Sequence, residues 1–143
     1  AVDVGTGQFH ESLRTNERVS IHENTDIRRF NHEKTYDVIV CDVSFISLFH
    51  VIQVLRKFSH PGTMGVLLIK PQFEVGRGFL NKQGIVTNET VIEEVITHIK
   101  NTLQQHGFVV EGIVSSPILG GDGNQEFLVF FNSLIIRISH STI

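Results

Sequence analysis

Four polar residues stand where apolar runs begin or end, and each is of a type that can hold or move a proton. Asp42 follows Val38-Ile39-Val40-Cys41 and precedes Val43-Ser44-Phe45. Lys70 closes the run Val66-Leu67-Leu68-Ile69 and is followed by Pro71, which keeps the chain extended at that point. Glu126 lies in Gly123-Asn124-Gln125-Glu126-Phe127, at the mouth of the last apolar run, and Asp3 precedes the turn Gly5-Thr6-Gly7. A lysine at the end of a buried run is partly desolvated, so its proton is easier to remove than in water. Each residue also has a plain structural reading. Asp42 can be a helix N-cap or turn former, Lys70 a snorkelling surface lysine, and Glu126 an exposed residue at a strand mouth. Asp3 can be an acid that receives ribose hydroxyls, but the tripeptide alone is thin evidence. No GxGxxG, P-loop or GxSxG motif occurs, and Gly5-Thr6-Gly7 is too short for a phosphate cradle.

The elements that must position these residues alternate. Residues 1–4 and Val19–Ile21 are predicted as short strands, with a short helix through Phe9 and Leu13 between them. Residues 36–41 read as a strand buried on both faces. A helix from about Ser47 carries Leu48, Val51, Ile52, Leu55 and Phe58 on one stripe, and His60-Pro61-Gly62 stops it. Gly65 to Ile69 is a second buried strand. Residues 71–88 read as a long loop, functional or disordered, that carries Arg77 and Lys82. A helix from about Glu89 buries Val91, Ile92, Val95, Ile96, Ile99 and Leu103; Thr87 or Asn88 caps it, and Gly107 ends it. Strands at 108–114 and 126–131 follow. This rhythm predicts an α/β domain with a mainly parallel sheet, whose ligands bind beyond the carboxyl ends of the strands.

Composition narrows the class. The 143 residues include 12 Lys+Arg against 15 Asp+Glu, for a formal charge of −3, which argues against a nucleic-acid binder that works unaided. One domain fits this length, and two do not. The single thiol, Cys41, fits a reducing, cytoplasmic setting and allows no cysteine-based zinc site; the eight histidines show no ligand-like pairing. No apolar stretch approaches the ~18–20 residues of a membrane span, and no secretory signal opens the chain. The opening Ala1–Gly7, read as a strand end and turn, predicts a piece of a longer frame.

Five stretches taken together are more specific than any one of them: AVDVGTGQFHESLR (1–14), DVIVCDVSFISL (37–48), LLIKPQFEVGR (67–77), GIV (84–86) and SSPILGGDGNQEFLVFF (115–131). They closely resemble the TlyA-type, hemolysin-labelled group of FtsJ-like ribosomal RNA 2′-O-methyltransferases. The resemblance implies a Rossmann-like fold, S-adenosylmethionine as cofactor and ribosomal RNA or ribosomal subunits as partner. It implies catalytic roles for Asp42, Lys70 and Glu126, and a cofactor site drawn from Asp3, Gly5, Glu23, Asp26, Asp42, Val43 and Ser44, with no metal. At Asp26 the family usually has Asn.

Methyl transfer from a sulfonium needs in-line approach and a hydroxyl that can lose its proton. Two acids beside one lysine keep it protonated, so Lys70 is expected to position first and act as a base second. The family's first strand, its Gly-rich loop, an S4 RNA-binding domain and the first lysine of its catalytic set are expected before Ala1. Their absence would leave a slot of ~10 Å in the sheet, a chain that binds cofactor poorly alone, and an edge open to oligomer formation. The runner-up is a non-catalytic RNA-binding or hemolysin-labelled protein that keeps the fold, and a nucleotide-dependent oxidoreductase of similar architecture also stays open.

Overall fold

The computed structural model describes residues 1–134, and the chain divides into two compact units, Ala1–Glu33 and a second that begins at Lys34. In the first unit, helix α1 (Glu11–Arg14) is a single turn. The two strands predicted there reduce to one parallel bridge, Val2 with His22, held by Asp3 N–H to His22 C=O and His22 N–H to Ala1 C=O, both at 2.9 Å. Two short segments with no wider ladder do not sustain more.

The second unit runs β1 (Tyr36–Cys41), α2 (Leu48–Leu55), β2 (Ser59–Ile69), α3 (Pro71–Glu74), α4 (Glu89–Gln105), β3 (Phe108–Ser115) and β4 (Phe127–Ser133). The sheet order is β1-β2-β4-β3. Only β1 and β2 are parallel; β4 runs antiparallel to both β2 and β3. The expected mainly parallel sheet is therefore mixed. The reason is local: the connection from β3 to β4 holds no helix, so the chain turns back as a wide hairpin rather than crossing over.

Periodicity is obeyed closely in the two long helices. Ser47 caps α2 by accepting the Phe49 N–H, and Asn88 caps α4 by accepting from Thr90 and Val91. Leu48, Val51, Ile52 and Leu55 of α2 are buried, as are Val91, Val95, Ile99 and Leu103 of α4. Each such side chain contributes about 1.5–3 kcal/mol of burial. Alternate residues of β2 (Thr63, Gly65, Leu67, Ile69) and of β4 (Val129, Phe131) are buried with them.

Two elements depart from expectation. β2 begins at Ser59, through the His60-Pro61-Gly62 stretch read as a stop, because the Thr63 hydroxyl donates to Tyr36 C=O at 2.6 Å and ties this irregular start to β1. β1, read as buried on both faces, is an edge strand with Val38 59% and Val40 77% exposed.

Gly65 marks the tightest packing. A Cβ there would overlap the Phe131 ring and come within 2.9 Å of the Ile39 carbonyl. Phe131 is itself locked edge-on against Phe108, with centroids 4.9 Å apart. Gly65→Ala is expected to destabilise the fold by about 1–3 kcal/mol, read as a lowered thermal midpoint.

Candidate active site

The parallel pairing of β1 with β2 brings their carboxyl ends to one rim of the sheet, with Cys41 in register with Leu67. Asp42 and Lys70 leave from those ends. The Lys70 ammonium lies 2.7 Å from Asp42 Oδ1 and donates to Ser44 Oγ at 2.9 Å. Its side chain is only 14% exposed, whereas that of Asp42 is 67% exposed. An ammonium has three N–H donors. One is donated to Ser44, Asp42 stands beside the ammonium as an ion-pair partner, and no further hydrogen-bond acceptor is found for it among the described residues.

Glu126 comes to the same rim from the other strand direction. Ile69 is in register with Phe127, so Lys70 and Glu126 are the residues that flank the last pair of the β2–β4 ladder. Read from sequence as exposed, Glu126 is instead 7% exposed. The loop before it folds over the carboxylate: a Cβ on Gly120 would sit 2.5 Å from Glu126 Oε1, a gap only glycine leaves. That loop is pinned by the buried Asn124, whose amide accepts from Val86 N–H and donates to Gly84 C=O, both at 3.0 Å. The Glu126 carboxylate has no hydrogen-bond partner among the described residues.

The segment read as a long loop, 71–88, is ordered in short pieces. Pro71 opens α3, a 3₁₀ turn spans Arg77–Phe79, and the Asn81 carbonyl oxygen accepts from Gln83 and Ile85 N–H, both at 2.9 Å. Arg77 and Lys82 are exposed.

Two aromatic residues at this rim escaped the sequence reading. Phe45 is 91% exposed on a left-handed backbone (φ 63°). Its ring lies 5.0 Å from that of Phe73, tilted by 52°. A non-glycine residue held there costs about 1–3 kcal/mol. The signal was present in the spacing: each phenylalanine comes three residues after a candidate catalytic residue, Asp42 or Lys70.

Cys41 borders the site without joining its chemistry. Burial pushes its thiol up to about 11, the Asp42 carboxylate adds to the shift, and Lys70 opposes it. Against an ordinary thiol at 9.0, about 10²-fold less thiolate is present near neutral pH. Iodoacetamide at pH 8 is expected to label Cys41 slower than free cysteine by about that factor, followed by intact-mass spectrometry.

The predicted cofactor residues of the first unit behave differently from one another. Asp3 Oδ1 accepts the Gly5 N–H at 2.6 Å. A Cβ on Gly5 would meet Gln8 Cγ at 2.9 Å and Asp3 Oδ1 at 3.1 Å, so the turn admits glycine readily and little else. The other oxygen of Asp3 has no partner among the described residues. Glu23 holds Arg14 in a two-pronged pair at 2.9 and 3.0 Å and accepts the Gln8 N–H. Asp26 is held by Arg28, whose hydrogen bond lowers its carboxyl to about 2. Both of these carboxylates from the expected cofactor site are thus paired with arginines. In the second unit, Ser44 accepts from Lys70 as described and Val43 is half-buried.

Among the described residues no three His, Cys, Asp or Glu side chains gather as a metal site would require, and no helix is long and apolar enough to cross a membrane.

Over 132 residues the chain is 36% identical to the 23S rRNA (cytidine-2′-O)-methyltransferase TlyA of Campylobacter jejuni, covering 92% of this chain and 51% of that protein. It is 36% identical over 135 residues to hemolysin A of Brachyspira hyodysenteriae, covering 92% of this chain and 56% of that one. A solved structure of a hemolysin-named protein from Streptococcus thermophilus superposes with a TM-score of 0.87 at 38% identity, covering 94% of this chain and 50% of that chain. The chain spans about half the length of these relatives. The FtsJ-like methyltransferase family matches residues 1–133, and the chain belongs to that family.

Proposed function

We propose that this chain carries the methyl-acceptor site of an S-adenosylmethionine-dependent methyltransferase acting on a ribose 2′-hydroxyl of ribosomal RNA. The observation that carries the reading is the Lys70 ammonium, hydrogen-bonded to Ser44 and paired with Asp42, with an N–H donor left for a ligand oxygen. The 2′-oxygen accepts that donor, which fixes a lone pair in the line of attack. The hydroxyl hydrogen is given to the Glu126 carboxylate, and the proton leaves along that hydrogen bond as the new O–CH₃ bond forms. Lys70 therefore stays protonated throughout, and Asp42 keeps it in place.

S-adenosylmethionine supplies an activated methyl group on a sulfonium that departs neutral. In the first unit, Asp3 suits the ribose of such a cofactor, since one carboxylate oxygen braces the Gly5 turn and the other is open to a sugar hydroxyl. Glu23 and Asp26, each held in place by an arginine, belong to the same proposed cofactor site.

Phe45 offers its exposed ring to a nucleobase. Stacking is the usual means by which proteins hold unpaired RNA bases, and a base there would cover an aromatic face that water now meets. Arg77 and Lys82 supply positive charge for phosphates on a chain whose overall charge is negative.

The test is transfer of a tritiated methyl group from S-adenosylmethionine to ribosomal subunits by the full polypeptide. Incorporation into RNA supports the reading. RNA binding without incorporation points to the non-catalytic alternative.

A further inference from the structure

We propose that Glu74 is a positioning residue that holds the Asp42–Ser47 loop and Lys70 in one geometry; the inference rests on reading Lys70 and Asp42 as the acceptor site. Glu74 accepts from the Ser47 hydroxyl at 2.6 Å through Oε2 and from the Leu48 N–H at 2.8 Å through Oε1. Both donors belong to the start of α2, where a carboxylate also meets the positive end of the helix. Ser47 in turn accepts the Phe49 N–H at 3.1 Å. The first turn of α2 is thus capped once by its own residue and once by a residue 26 positions further along the chain.

The other end of Glu74 is tied to Lys70. The two residues are joined by the single turn of α3, in which Phe73 N–H donates to Lys70 C=O at 2.9 Å and Val75 N–H to Pro71 C=O at 3.3 Å. Pro71 at the first position removes a backbone freedom. A short, stiff arm therefore runs from Lys70 to the far end of the loop that carries Asp42, Ser44 and Phe45. The near end of that loop is fixed at Cys41 by the β1–β2 ladder.

Such double anchoring explains why Phe45 keeps a left-handed backbone. Strained residues persist only where their surroundings over-determine them. Without the Glu74 carboxylate the loop is anchored at one end. Phe45 then relaxes toward ordinary φ values, and Ser44 and Asp42 move off the lysine. A cap with no part in positioning would affect stability alone.

The experiment compares Glu74→Ala and Glu74→Gln with the parent and with Lys70→Ala, all in the full polypeptide. It measures kcat, KM for S-adenosylmethionine, thermal midpoint and hydrogen exchange at the Leu48 amide. Glu74→Ala is expected to lose protection at Leu48 and to lower kcat by about 10²-fold, the penalty for an ångström of misplacement. KM for the cofactor should rise as kcat falls, because Asp42, Val43 and Ser44 of the same loop are also expected in the cofactor site. Glu74→Gln keeps an acceptor for the Leu48 N–H and is expected to restore most of kcat.

Lost protection at Leu48 with unchanged kcat overturns the proposal. If Glu74→Ala does not fold, Glu74→Gln decides: protection and kcat retained together, or lost together, support the clamp, and a change in one without the other overturns it. Lys70→Ala with parental activity would instead overturn the reading of the site itself. The exchange data would still report what Glu74 does to the loop.

Discussion

Lys70→Ala is expected to slow methyl transfer by about 10²- to 10⁴-fold, the range typical for a positioned group that orients or moves a proton, while leaving the fold intact. Both halves of that expectation follow from exposure. The lysine side chain is 14% exposed and its ammonium is committed to Asp42 and Ser44. Alanine removes the donor meant for the 2′-oxygen and leaves nothing of similar reach. Asp42, 67% exposed, remains hydrated when its partner goes, so no buried charge is orphaned. A pair whose carboxylate stands in water contributes about 0–1 kcal/mol to stability, and the thermal midpoint should move little. Single-turnover transfer and a thermal melt on the same preparation check the two halves. Normal turnover by Lys70→Ala would remove the lysine from the mechanism.

The second large effect separates stability from RNA binding. Phe45 is held at φ 63° with 91% of its surface in water, an arrangement that costs folding energy and buries almost nothing. Glycine occupies that backbone region without penalty. Phe45→Gly should therefore be at least as stable as the parent, yet bind RNA more weakly by about 1–3 kcal/mol, the worth of one stacked base. Filter binding on ribosomal RNA and thermal denaturation give the comparison. Unchanged RNA affinity would mean that no base meets this ring.

Legibility from sequence followed the physics of each element. The helices α2 and α4 were plain because their apolar residues recur on one face, and Asp42 and Lys70 stood out because apolar runs end at them. Family membership was readable from five stretches that no single motif carried, and the family match over residues 1–133 agrees. The strand order was not readable. It depends on β4 entering between β2 and β3, which the helix-free connection allows but no periodicity announces. The burial of Glu126 was hidden for a related reason: it is imposed by Gly120 and by Asn124, which reaches to residues 84–86. Segment 71–88 looked structureless because its helical pieces are single turns, too short to show a period. The clamp at Glu74 joins residues 26 and 27 positions apart and has no local signature.

The most direct test is nucleoside mass spectrometry of ribosomal RNA treated with S-adenosylmethionine and either the parent polypeptide or its Lys70→Ala variant. If Asp42, Lys70 and Glu126 act together on a sugar oxygen as proposed, the parent should yield a 2′-O-methylated nucleoside and the variant almost none. A methyl group found on a base, or equal yields of the 2′-O-methyl product from both proteins, would contradict it.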